Sequence, residues 1–314
     1  MKELRAILDE YDGDRMLVGE DDNIAYMGNG DNELHLVFNF PLMQTERITP
    51  RHIRSNQKGR LAQLDALPVR GWPCNTLGNH DCSRIRTRIG DKVHDAELAR
   101  LNAALVLTLR GTPFLYNGEE IGMTDLIITD PAKLRDTMAT WYYEALVNDL
   151  KVDPAGAALR AGEMSRDKNR TPMQWDSGPN GGFSPGEVTT WLPVHPNHSQ
   201  GINVRDQEKG PVSLLQYYRR LIGVRKSTPA LIEGEYAPLA VTAEDYFAFL
   251  RMIEMQSVLV VLNYSDQRQN LNLKVKGFKR AQVLFSSLER SRNEEVLANL
   301  LIGPFEALIA ELRQ

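Results

Sequence analysis

The chain has 314 residues, with 42% hydrophobic and 25% charged residues and a formal net charge of -4. That is ordinary for a globular protein of one large or two smaller domains. A weakly acidic balance argues against a nucleic-acid or membrane-surface partner, and no apolar run reaches the roughly 18 residues of a membrane-crossing helix.

Residues 2–11 place Leu4, Ile7, Leu8 and Tyr11 at helical spacing. Asp12-Gly13-Asp14 forms a turn, and Arg15 to Glu20 reads as a short buried strand ending in a carboxylate. Residues 21–32, rich in Asp, Asn and Gly, are a loop. Leu34 to Phe40 predicts a second strand, residues 57–66 a helix, and 74–78 a third strand that ends in Asn79-His80-Asp81. A long apolar helix is expected from Ala96 to Arg110, then a fourth strand over 112–116. Strands alternating with helices predict parallel pairing through right-handed crossovers. Each strand carries its polar residues at its C-terminal end, where the site of a (β/α) barrel or a doubly wound sheet lies.

Residues 124–210 lack clear periodicity and read as a long irregular region. The stripe Met138, Trp141 and Tyr142 within it reads as local packing. A helix resumes over 212–226, and successive short strands follow at 246–251, 258–262 and 271–275, with a last run over 305–310. This predicts a barrel-like part over 1–230 and an antiparallel β-domain over 231–314. Cys74 and Cys82 flank the third strand, roughly 25 Å apart if it is extended, too far for a disulfide. They read as free thiols of a cytoplasmic protein. The histidines show no metal-ligand spacing, so neither metal nor cofactor is expected.

Several blocks, in order, carry a resemblance. They are Met16-Leu17-Val18-Gly19-Glu20, Gly78-Asn79-His80-Asp81 with Arg84, Gly111 to Met123, Arg166 to Asp176, Asn203 to Leu221, and Gly303-Pro304-Phe305-Glu306-Ala307. Together they resemble the C-terminal part of an α-glucosidase, in the oligo-1,6-glucosidase branch of the α-amylase superfamily (family 13 of the retaining glycoside hydrolases). The resemblance implies strands five to eight of a (β/α)8 TIM barrel followed by a small antiparallel β-domain. It implies hydrolysis of short α-glucosides, with Glu20 as general acid/base and Asp81 gripping the sugar hydroxyls. His80, Asn79, Arg84 and Arg170 are implied substrate contacts, and Trp175 is a further candidate for an outer sugar subsite. Retaining chemistry needs two carboxylates about 5 Å apart. The family's nucleophile aspartate lies on the fourth strand, in a block absent from this sequence.

The expected partner is therefore an oligosaccharide, plus a second copy or a complementary N-terminal half that closes the open sheet edges. Two alternatives stand beside the hydrolase: a non-catalytic relative serving as a binding or assembly subunit, and a transglycosylase such as a sucrose isomerase.

Overall fold

The chain opens on helix α1 (Lys2–Asp9). Of its apolar stripe Leu4 and Ile7 are exposed and Leu8 is half-buried; Tyr11, beyond the helix end, is exposed as well. The computed structural model describes residues 1–314, and these fall into two units. The first is Met1–Leu77, Ala96–Phe114 and Arg219–Gln314; the second is Gly78–Asp95 and Leu115–Tyr218.

In chain order the elements after α1 are β1 (Val18–Gly19), β2 (Leu36–Val37), α2 (Phe40–Met43), α3 (Pro50–Asp65), β3 (Cys74–Thr76), α4 (Ile85–Ile89), α5 (Asp95–Thr108) and β4 (Thr112–Phe114). Helices α6 (Thr137–Asn148), α7 (Pro154–Met164), α8 (Val204–Lys209), α9 (Leu214–Ser227) and α10 (Pro229–Glu233) follow. The last part holds β5 (Glu235–Leu239), β6 (Tyr246–Ile253), β7 (Gln256–Asn263), β8 (Gln269–Leu271), β9 (Arg280–Ser286), β10 (Glu294–Val296), β11 (Leu300–Ile302) and β12 (Ala307–Arg313).

In the first unit the expected parallel pairing is present, although the strands are shorter than the apolar runs. Val18 faces Leu36 across β1 and β2, and Cys74 faces Thr112 across β3 and β4. The Asn39 N–H donates to the Cys74 carbonyl at 3.0 Å, which joins the two pairs. Arg60 of α3 closes the C-terminal ends of β1 and β2, donating to the carbonyls of Asp22, Val37 and Phe38 at 2.7, 3.0 and 2.8 Å. Helix α3 begins seven residues before the expected 57. Thr49 caps it by accepting from the His52 N–H, and Pro50 sits in its first turn, where the missing N–H costs nothing.

The six-stranded antiparallel sheet runs β10-β9-β12-β7-β6-β5. The chain stretch of the expected β-domain thus lies in the first unit, together with the parallel strands. Its central strands are buried on both faces. Ala248, Leu250, Leu259 and Val261 pack with the small β8–β11 pair, while Phe247, Phe249 and Val260 are equally buried. The strand expected over 271–275 stops at Leu271, and Leu273 and Val275 beyond it pack on this cluster without extending the ladder. Fully buried Arg251 of β6 donates to the Thr108 carbonyl at 2.7 Å, at the end of α5, and to Gly234 at 2.9 and 3.1 Å. Arg225 donates to Leu107 and Gly111 at 2.7 and 2.9 Å.

In the second unit, the stretch expected to be irregular holds α6, α7 and α8. Asp136 and Asp153 cap α6 and α7, accepting from the N–H groups of Met138 and Gly156. Tyr142 packs on the buried cluster of Ile128, Leu134, Ala139, Ala161 and Leu192. Met138 and Trp141 do not join it and stand exposed, a departure from the expected packing stripe. Cys74 and Cys82 are both free. No helix is long and apolar enough to cross a membrane.

Candidate active site

The turn after β3 puts Asn79, His80 and Asp81 in the second unit. The turn is local chemistry: the Asn79 carboxamide oxygen accepts the Asp81 N–H at 3.0 Å, an Asx turn. The segment 166–170 holds it from the other side. Asn169 donates to the Asn79 carbonyl at 3.3 Å and Arg170 Nε to the His80 carbonyl at 2.8 Å. Oδ1 of Asp81 accepts from Arg166 Nη1 at 3.2 Å and from Arg170 Nη2, with His80 Nε2 at 3.6 Å.

Desolvation pushes the Asp81 carboxyl up, but hydrogen bonds from Arg170 and Arg166 and the charge of His80 outweigh it. The net effect holds the group below its ordinary value, so this carboxylate is ionised at neutral pH. Its side chain is 42% exposed, which leaves it accessible to a ligand's hydroxyl groups.

Arg166 is itself anchored. Its guanidinium reaches both oxygens of Asp136, at 3.1 and 3.3 Å, and its N–H adds a third bond at 2.9 Å. Burial raises the Asp136 carboxyl, and the bonds from Arg166 bring it below the ordinary value. The buried carboxylate of Asp167 accepts the N–H groups of Arg135 and Asp136 at 2.6 and 2.9 Å. Two buried acids thus fix the loop that presents Arg166 and Arg170 to Asp81.

Arg84 has a different place from Arg170. It is buried, donates to the Asn117 carbonyl at 2.7 Å, and lies over the Tyr116 ring at 5.0 Å. Its backbone N–H is bound by Asp125 at 2.7 Å. It braces the loop after β4 rather than pointing at Asp81. Burial also pushes the Glu119 carboxyl up to about 8, whereas Glu120 anchors the loop by accepting the Gly118 N–H at 2.9 Å. Glu20 follows β1 in the first unit and is exposed.

Two partners were outside the sequence reading. Asp136 lies 30 residues from Arg166, and no local pattern connects them. Trp191, half exposed, donates its indole N–H to the Arg170 carbonyl at 3.1 Å. A lone tryptophan in a Pro- and Gly-rich stretch gives no such signal.

The family model "Alpha amylase, catalytic domain" matches residues 1–234. An oligo-1,6-glucosidase of Parageobacillus thermoglucosidasius is 30% identical over 98% of this chain and 57% of its own length. A glucan 1,6-alpha-glucosidase of Streptococcus pneumoniae is 35% identical over 77% of this chain and 43% of its own. Among solved structures, the trehalulose synthase MutB of Pseudomonas mesoacidophila superposes with a TM-score of 0.81 at 27% identity, covering 99% of this chain and 58% of that one. The chain thus spans a little over half the length of the first of these relatives and of the solved structure. With the family model covering 234 of its 314 residues, the chain belongs to the α-amylase family.

Proposed function

We propose that this chain carries the sugar-gripping part of a retaining α-glucosidase-type glycoside hydrolase that acts on short α-glucosides. Its four parallel strands correspond in this reading to strands five to eight of a (β/α)8 barrel. The observation that carries the proposal is the ionised, accessible Asp81 carboxylate, fixed by Arg166 and Arg170 at the end of a parallel strand.

Asp81 and His80 bind hydroxyls of the sugar ring, with bonds that strengthen as oxocarbenium character develops. Asn79 shapes the turn, Arg170 orients it and reaches the sugar, and Arg84 braces the loop after β4. Glu20 protonates the glycosidic oxygen and then activates water. The second carboxylate of a retaining pair is assigned to the portion of the relatives' length that this chain does not cover. The chain alone is therefore expected not to release glucose from a nitrophenyl α-glucoside, and to pair with a complementary segment or a second copy in the cytoplasm.

Calorimetric titration with isomaltose tests the reading. Binding that weakens about tenfold or more in Asp81→Asn supports it, since a lost charge-assisted hydrogen bond is worth that much. Equal affinity of the two proteins would refute it. A transglycosylase is the second reading, favoured by likeness to an isomaltulose synthase solved with sucrose (TM-score 0.81, 28% identity).

A further inference from the structure

Beside the arginines that hold Asp81 lies a cavity of about 340 Å³ in the second unit, lined by residues that include Arg135, Asp136, Thr137, Arg166, Arg170 and Trp191. That is at the lower end of the roughly 300–1,000 Å³ of small-molecule pockets. Trp191 is 52% exposed yet held at two points. Its N–H is bound to the Arg170 carbonyl, and its ring meets Phe183 edge-on, with centroids 5.0 Å apart and planes at 88°.

We propose that Trp191 is the platform of an additional sugar subsite, one ring removed from Asp81, that selects α-glucans longer than a single glucose. This rests on the placement of a sugar at Asp81. The link is short and continuous. Trp191 is bonded to Arg170, and Arg170 is bonded to both the Asp81 carboxylate and the His80 carbonyl.

The C–H faces of a glucose ring stack on an aromatic face, while its equatorial hydroxyls need donors and acceptors around the edge. An indole fixed before binding loses little rotamer freedom on stacking. Asp136 is already engaged by Arg166, so the acid on the lining is occupied. The Thr137 hydroxyl and the Arg135 guanidinium, the latter steered by the carbonyls of Ala132 and Leu134 at 3.2 and 3.3 Å, supply the rim.

A simple surface tryptophan would be indifferent to glucan length, and this is what the test reads. Glucose and isomaltotriose are titrated calorimetrically into the full chain and into Trp191→Ala, Trp191→Phe and Asp81→Asn. The expected result is that Trp191→Ala weakens isomaltotriose about tenfold and glucose less than about twofold, the tenfold loss corresponding to ~1.4 kcal/mol of stacking. Trp191→Phe keeps most of the preference for the longer sugar. Loss of both sugars alike in Trp191→Ala, or of neither, overturns the subsite. If Asp81→Asn leaves both affinities unchanged while Trp191→Ala still weakens only the trisaccharide, the subsite stands and the sugar at Asp81 falls. A wild-type chain that binds neither sugar overturns both.

Discussion

Glu119 offers a direct measurement of how a buried acid weighs on this fold. Replacing it with Gln keeps its shape and removes its charge. Burial moves the carboxyl from an ordinary 4.5 up to about 8, against the pull of the Tyr116 N–H and of Arg84 and Arg88, with Glu120 adding to the rise. Oε1 has no hydrogen-bond partner.

The sign follows from proton counting. Between the two pKa values the native state holds a proton that the unfolded chain has lost. Wild-type stability therefore falls as pH rises from about 4.5 to about 8, and levels off above that. At ~1.4 kcal/mol per unit the full window bounds the loss at about 5 kcal/mol, and relaxation around the charge brings the expectation to roughly 2–3 kcal/mol. Urea denaturation of wild type and Glu119→Gln at pH 5, 7 and 9 reads it. The two stabilities should diverge steadily with pH, the Gln variant gaining on wild type. Curves that stay parallel across the range would show that Glu119 is ionised in the native state and that its burial costs far less.

Three further outcomes are expected. Arg166→Ala leaves the buried Asp136 without its cation and should destabilise the protein; a lowered melting temperature checks it. Because its partner's pKa is depressed, that stabilisation is present above pH ~4 and lost on acidification, so wild type and variant should converge at low pH. Gly78→Ala should cost roughly 1–3 kcal/mol, since its Cβ would stand 2.1 Å from Glu119 Oε1. A double variant with Glu119→Ala should recover much of that loss, and strictly additive effects would count against the contact.

Parallel pairing was legible because strands that end in polar residues alternate with helices. Strand length was not. The run at 15–20 suggests a buried strand, yet Met16 is exposed and Leu17 to Gly19 are only half-buried; the β1 ladder needs a partner at each step and finds one only over Val18–Gly19. Helices α6 and α7 escaped periodicity for different reasons. In α6 the large Met138 and Trp141 face solvent, and α7 buries alanines and a glycine, which leave a faint pattern. Asp136 and Asp153, residue types that favour helix starts, cap them in the structure, although the stretch was expected to be irregular. Asn79-His80-Asp81 announced itself as a polar cluster after an apolar strand. The loop that fixes it sits 85 residues on, at Arg166, and pairing over that distance leaves no local trace. Arg84, a substrate contact only by resemblance, is buried and held by the Asn117 carbonyl and the Tyr116 ring.

Arg251 bears on recombination among relatives. The carbonyls at the end of α5 carry the negative pole of the helix and have no following N–H to bind. The guanidinium that meets Thr108 there comes from a strand 143 residues later. A crossover anywhere between the two positions hands the helix end of one parent to the arginine of another. Chimaeras should tolerate such breakpoints only where both parents keep that long-range pair in register, so the permitted exchanges in this chain are set by its helix end as much as by the turn at Asp81.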